Sequence, residues 1–300
     1  MNKLEIPTAI IPVRGGLGNQ MFIYAFSLYL KSNNIRPLLI WHEYIFTKQH
    51  NGVELFDVFD ININNHSKNQ VYLFLIINKS FFPLIIKRII GRIFRSKYIF
   101  TKYYKQSSPY NFDNLLLNIK SGKYYLDGFW QNYMYLSSIR ERVLESFSFR
   151  LPTNIAQNIY LKKILTSNSV SIHIRRGDYL FAEFEDLNVL KSMDYFLKAI
   201  SYIEVNCESP LFFIFTDDMI WAKKEFRAGK YIFVEGNINK ESYLDIYLMT
   251  RCKHNIIANS TFSWWGAWLN INPDKIVVAP QKWTKEVNSS QLCPPEWILL

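Results

Sequence analysis

Cysteine is nearly missing from this chain. Cys207, Cys252 and Cys293 are odd in number, far apart and without a CxxC spacing. That argues against a disulfide framework and for a reducing compartment. The five histidines, His42, His50, His66, His173 and His254, form no HxxxH or similar pair, so a metal site built by the protein is not expected. No DxD triplet occurs anywhere, and no internal repeat or low-complexity tract stands out. A basic stripe interleaved with aromatics, typical of single-strand binders, is also lacking, so nucleic acid is not the expected partner.

Long apolar runs are wanting too. Residues 71–94, VYLFLIINKSFFPLIIKRIIGRIF, are the most membrane-like segment, yet Asn78, Lys79, Pro83, Lys87 and Arg88 interrupt it. No run of about twenty apolar residues remains to span a bilayer. The segment reads as a buried or paired helical hairpin, or as a basic, apolar surface that rests on an anionic membrane. The N-terminal stretch is broken by Pro7, Pro12 and Arg14; it is too short for a signal-peptide core and reads as a first strand.

Apolar residues, at 49% of 300, are plentiful enough for the cores of two ordinary domains or one large one, and 35 Lys and Arg against 25 Asp and Glu give a formal charge of +10. That excess suits an anionic partner: a nucleotide, a phosphorylated intermediate, an anionic bilayer or nucleic acid. In the C-terminal half, apolar strands are expected at 170–174, 211–216, 231–234, 255–258 and, last, 275–279. Helices are expected at 193–205, 218–226, 241–252 and 260–270. Strands that apolar are buried on both faces, so the pattern is a parallel sheet in an α/β layer fold. The N-terminal half starts the same way, with a strand at 8–13, a Gly-rich turn, a helix over about 19–32 and a strand at 37–41. The pattern then blurs until YYLDGFW at 124–130. Two α/β domains, 1–150 and 151–300, with a boundary near FSFRLPTN (147–154), are the simplest organisation.

Three polar turns fall at carboxyl ends of predicted strands, where open parallel sheets bind ligands. RGGLGNQMF (14–22) lacks the third glycine of a dinucleotide fingerprint, which speaks against a hydride-transfer cofactor. Gly16 and Gly18 still let a ligand approach, and Asn19 and Gln20 add amide donors at a helix start; an ordinary tight turn with Asn19 as N-cap is the alternative. HIRRGDY (173–179) offers two guanidiniums, which pair with phosphate oxygens in a planar fork, or else with Asp178, Glu183, Glu185 and Asp186. In FTDD (215–218), Asp218 is expected to cap a helix, while Asp217 is a weaker ligand contact. ANSTFSWWGAW (258–268) brings Asn259, Ser260, Thr261 and Ser263 to a second anion seat, or to plain capping, with Trp264, Trp265 and Trp268 as core. Together the three turns have the form of a diphosphate grip.

GGLGNQMF, HIRRGDY, LFFIFTDD, LDIYLMTRCKHNIIANSTFSWWGAWLN and VVAPQKW, with GFWQNYMYL (128–136) and PPEWI (294–298), resemble in order and spacing the bacterial α-1,2-fucosyltransferases, glycosyltransferase family 11. The resemblance runs from residue 14 to the end. It implies an α/β fold of GT-B type, two Rossmann-like domains facing across a cleft, the first (1–150) binding acceptor and the second (151–300) binding GDP-fucose. It implies inverting transfer to the 2-hydroxyl of a galactose-containing glycan acceptor, with no metal or other cofactor, in agreement with the missing DxD. By that similarity Arg175 holds the β-phosphate and stabilises departing GDP, Arg176 supports it, and His173 and Asp245 recognise guanine. The turn from Asn259 to Ser263, with Ser260 and Thr261, meets the diphosphate, and Asn19 with Gly16 and Gly18 reaches the same phosphates. For a general base, related α-1,6 enzymes place a glutamate five residues after the aspartate of the arginine motif, an offset that Glu183 occupies here; Asp178 is the other candidate, or holds the arginine loop in shape. A fucosyltransferase of another linkage and a non-catalytic nucleotide-sugar-binding protein are the competing expectations. The expected location is cytoplasmic, with peripheral contact at the inner membrane if a lipid-linked O-antigen or surface-glycan precursor is the acceptor.

Overall fold

A computed structural model describes residues 6–41, 51–61, 101–114, 119–190, 192–227 and 229–300. The segment at 71–94, read above as a hairpin or membrane surface, lies outside them. Among the described residues no helix is long and apolar enough to cross a membrane. The chain divides into two compact units, Met1–Ser148 and Phe149–Leu300.

Among its described residues the first unit is built on a four-stranded parallel sheet in the order β2-β1-β4-β3. Its strands are β1 (Thr8–Pro12), β2 (Arg36–Ile40), β3 (Thr101–Lys105) and β4 (Lys123–Asp127). The helix Leu17–Ser32 crosses from β1 to β2, burying Met21, Phe22, Ala25, Phe26, Tyr29 and Leu30. Its N-cap is Gly16, with no side-chain cap; the alternative reading of the turn put Asn19 there, but Asn19 already lies inside the first turn. Asn34 closes the other end at φ 59, and Ile35 N–H returns to Leu30 carbonyl at 3.0 Å. This is the left-handed stop that asparagine tolerates better than most residues.

The second unit carries a six-stranded, wholly parallel sheet in the order β10-β9-β8-β5-β6-β7. The strands are β5 (Asn168–Ile174), β6 (Pro210–Thr216), β7 (Tyr231–Phe233), β8 (His254–Ile256), β9 (Val277–Ala279) and β10 (Ile298–Leu299). In chain order this is the doubly wound Rossmann arrangement, in which the winding reverses between β5 and β8. The sequence reading ended at β9; β10 is a two-residue edge strand, too short to carry a pattern. The apolar runs of β5 and β6 are buried on both faces, with Val170, Ile172, Phe212 and Ile214 fully enclosed. Helix Asp194–Asn206 covers one face through Tyr195, Phe196, Ala199, Ile200 and Ile203. Trp264, Trp265 and Trp268 are core, as expected, with the first and last rings stacked at 6.1 Å.

Between β8 and its neighbours lies a buried polar network. Asn255 donates to Ser171 Oγ (2.7 Å) and to Met249 carbonyl (2.9 Å). Asn270 donates to Cys252 carbonyl and to Asn255 Oδ1, both at 2.8 Å. Each buried amide proton is thereby satisfied, which is the condition for such a network to hold a core in one arrangement. The three cysteines are free thiols, Cys252 and Cys293 being buried.

Candidate functional site

Parallel register builds the site in the second unit. Because His173 pairs with Phe215 and Ile174 with Thr216, the arginines after β5 stand opposite the aspartates after β6. Arg175 Nη1 lies 3.0 Å from Asp217 Oδ2, and Arg176 N–H donates to Asp217 Oδ1 at 2.9 Å. Arg176 Nε donates to Asp218 Oδ2 at 3.2 Å, with its guanidinium 4.2 Å from the centre of the Trp221 ring. The second oxygen of Asp218 accepts from Trp221 N–H at 3.0 Å, so the expected helix cap is present and also orients an arginine. The sequence offered acids at 178, 183, 185 and 186 as alternative partners; Asp217 and Asp218, just beyond the neighbouring strand, pair with the two arginines.

Asp217 leaves little space. A Cβ built on Gly177 would stand 3.0 Å from its Oδ2, so the glycine lets the carboxylate lie across the turn. Tyr179 then ties this turn to the one after β8, its ring centre 5.9 Å from the Arg175 guanidinium and its hydroxyl donating to Asn259 carbonyl at 3.0 Å. The two turns flank the strand pair β5–β8, the point of reversal at which open α/β sheets take their ligands.

The turn after β8 leads into helix Thr261–Trp268. Ser260 is its N-cap, accepting from Phe262 N–H at 3.3 Å. Asn259 commits its side-chain amide to Leu187 and Trp283 carbonyls at 2.7 and 2.8 Å. Ser263 is fully buried and donates back to Ala258 and Ser260 carbonyls. Thr261, half-buried, opens the helix. The side chains at 259 and 263 therefore shape the turn, while the backbone and position 261 are what it presents.

His173 is buried, and its Nδ1 has no hydrogen-bond partner among the described residues. Burial, helped by the Arg175 charge, lowers its pKa to about 3, so the ring is neutral at working pH. Its ring centre is 5.6 Å from that of Phe262. Asp245, in helix Tyr243–Arg251, accepts from Asn237 Nδ2 at 2.7 Å; burial raises its pKa to about 7 against that bond. A half-buried carboxylate so poised gains from any ligand that donates to it.

The remaining sequence candidates are placed differently. Glu183 is exposed in the 3-10 turn Ala182–Phe184. Asp178 opens the turn Asp178–Leu180, and its side chain lies outside the described residues. Gly16, Gly18 and Asn19 belong to the first unit, where Asn19 Oδ1 accepts from Gln131 Nε2 at 2.8 Å. Gln20, read as a ligand donor, is buried: its amide bonds Gly15 and Gly52 carbonyls, and its oxygen accepts from Glu54 and Leu55 N–H. Among the described residues no group of three or more His, Cys, Asp or Glu is arranged to hold a metal ion.

Comparison with known proteins gives the family. The family model described as Glycosyl transferase family 11 matches residues 8–300. An O-antigen biosynthesis glycosyltransferase, WbnK of Escherichia coli, is 34% identical over 95% of this chain and 98% of its own. An alpha-1,2-colitosyltransferase of Escherichia coli is likewise 34% identical, over 95% and 96%. Among solved structures, a glycosyl transferase family 9 protein from Veillonella parvula DSM 2008 aligns at TM-score 0.46 and 14% identity over 99% of this chain and 86% of that one. Two α/β units on parallel sheets and a sequence that fits the family model from the first described strand to the last residue give one conclusion: the chain is a glycosyltransferase and belongs to family 11.

Proposed function

We propose that the chain transfers L-fucose from GDP-fucose, with inversion and without a metal, to the 2-hydroxyl of a galactose-type sugar in an O-antigen or related surface-glycan precursor. One observation carries this reading: an arginine pair fixed by Asp217 and Asp218 where the winding of a Rossmann-order sheet reverses. Transfer from a nucleoside diphosphate sugar is limited by charge that accumulates on the leaving diphosphate. Donors fixed in advance stabilise that charge without reorganising. Arg175 and Arg176 meet the diphosphate, and the helix start at Thr261 adds backbone N–H groups. Asp245 accepts from the guanine N–H edge, with His173 on the same base.

The sugar leaves with oxocarbenium character and the acceptor hydroxyl attacks from the opposite face. Glu183 and Asp178 are the candidates for the base that takes its proton. The cytoplasmic face of the inner membrane is the proposed place of work, where the +10 charge favours an anionic, lipid-bearing substrate.

A second reading has its own support, because the colitosyltransferase is as similar to this chain as WbnK is. Colitose is L-fucose without its 3-hydroxyl, so the same diphosphate grip serves both donors. The test is incubation with GDP-fucose and GDP-colitose, excess chelator and a panel of terminal-galactose acceptors, followed by linkage analysis. A 1→2 product from GDP-fucose with chelator present is expected. Preference for GDP-colitose moves the donor assignment, and no transfer from either donor refutes the proposal.

A further inference from the structure

The first unit carries a polar cluster at the carboxyl ends of its two central strands, β1 and β4. Ligands of open parallel sheets bind beyond that edge. Arg14 follows β1 and Asp127 ends β4, and Arg14 Nη2 meets Asp127 Oδ1 at 2.7 Å. The guanidinium lies 4.7 Å from the centre of the Phe129 ring. From edge strand β3, Tyr103 donates its hydroxyl to Asp127 Oδ2 at 2.5 Å. That bond pushes its pKa to about 12. Yet Tyr103 is 61% exposed, with one ring face on Tyr125 at 5.8 Å.

Gln106 completes the group. Its oxygen accepts from Phe129 and Trp130 N–H at 3.1 and 3.0 Å, which fixes the turn after Asp127. Its Nε2 is buried and has no partner among the described residues, so Gln106 shapes the turn beneath the Arg14–Asp127 pair and makes no contact of its own with a ligand.

We propose that this cluster is the seat of the acceptor's sugar, a neutral hexopyranoside. An anionic ligand would meet Asp127 and a cationic one Arg14, whereas each sugar hydroxyl both donates and accepts and so suits a paired carboxylate and guanidinium. The exposed Tyr103 ring offers a flat apolar face to the sugar's C–H side, as amphipathic aromatics do at binding surfaces. A carboxylate has about four lone-pair directions, so the two bonds already present leave Asp127 able to accept from a hydroxyl. The inference rests on the glycosyltransferase reading with a galactose-type acceptor, and it assigns residues to that acceptor.

Saturation-transfer NMR on the full chain without donor, using methyl β-D-galactopyranoside and methyl β-D-glucopyranoside as probes, tests it, with GDP titrated into the same samples. Wild type is expected to saturate the galactoside. Tyr103→Ala, on an exposed edge strand, loses that signal about fivefold or more while GDP affinity is unchanged, and its acceptor KM rises about tenfold with kcat within about threefold. Equal galactoside signals in wild type and Tyr103→Ala, or no signal from a wild type that binds GDP, overturn the seat. Loss of GDP binding with the galactoside signal intact refutes the donor reading and leaves the seat standing.

Discussion

The Asp217 carboxylate holds two consecutive residues at once: its Oδ2 stands 3.0 Å from Arg175 Nη1 and its Oδ1 accepts from Arg176 N–H at 2.9 Å. Two adjacent guanidiniums repel, and here the repulsion is offset by the carboxylates that follow the next strand.

Asp217→Asn therefore removes the charge while keeping an oxygen for Arg176 N–H. Transfer is expected to fall about tenfold, ~1.4 kcal/mol in the barrier, through kcat more than through acceptor KM. Both partners are partly exposed, so global stability changes by less than about 1 kcal/mol. Steady-state kinetics beside a thermal melt separates these; unchanged kcat would show that Asp217 does not position Arg175.

Gly177→Ala probes the same contact from the other side. The new Cβ would meet Asp217 Oδ2 at 3.0 Å and its Cγ at 3.3 Å, so the carboxylate must shift by a few tenths of an ångström. A loss of about three- to tenfold in transfer is expected, with a melting change of only a few degrees, measured on the purified variant.

Asp245 predicts a proton signature. Its pKa is raised by burial from 3.8 to about 7, so the folded state holds this proton where the unfolded chain has lost it. The contribution to stability is fully present below about pH 3.8 and is lost as pH rises towards 7. If guanine donates to Asp245, bound GDP favours the carboxylate, and binding at pH 7 releases roughly half a proton. Calorimetry in buffers of different ionisation enthalpy reads that number directly. Asp245→Asn should abolish the release, and an unchanged release would move the proton to another group.

The Asn255–Asn270 pair makes a prediction about stability alone. Asn270→Ala leaves Cys252 carbonyl and Asn255 Oδ1 without their donor inside the core, a loss of about 2–4 kcal/mol. Chemical denaturation should show it at unchanged GDP affinity at low denaturant.

Much of this was legible in the chain, for reasons that particular residues make plain. Strand β6 is apolar from Leu211 to Phe215, β5 carries Val170, Ile172 and Ile174, and both are flanked by polar turns, so pattern and punctuation agreed. Strand β3, TKYYK, is polar and lies at an edge, and β10 is two residues long; neither presents a pattern. Asp218 was read correctly as a cap. Asp217 was undervalued because its partnership with Arg175 depends on the register of β5 against β6, which local sequence does not contain. Asn259 and Gln20 carry the same amide group as a ligand donor would. Whether an amide faces a ligand or a carbonyl is settled by tertiary placement, and here Leu187, Trp283, Gly15 and Gly52 take those protons.

GDP titration of wild type against Arg175→Ala, at fixed ionic strength and with chelator present, bears most directly on the donor grip. Saturable binding to wild type and an affinity at least about tenfold weaker in the variant, with both proteins melting alike, are predicted. No GDP binding by wild type, or equal affinity in the two proteins, would contradict the assignment of Arg175 to the diphosphate.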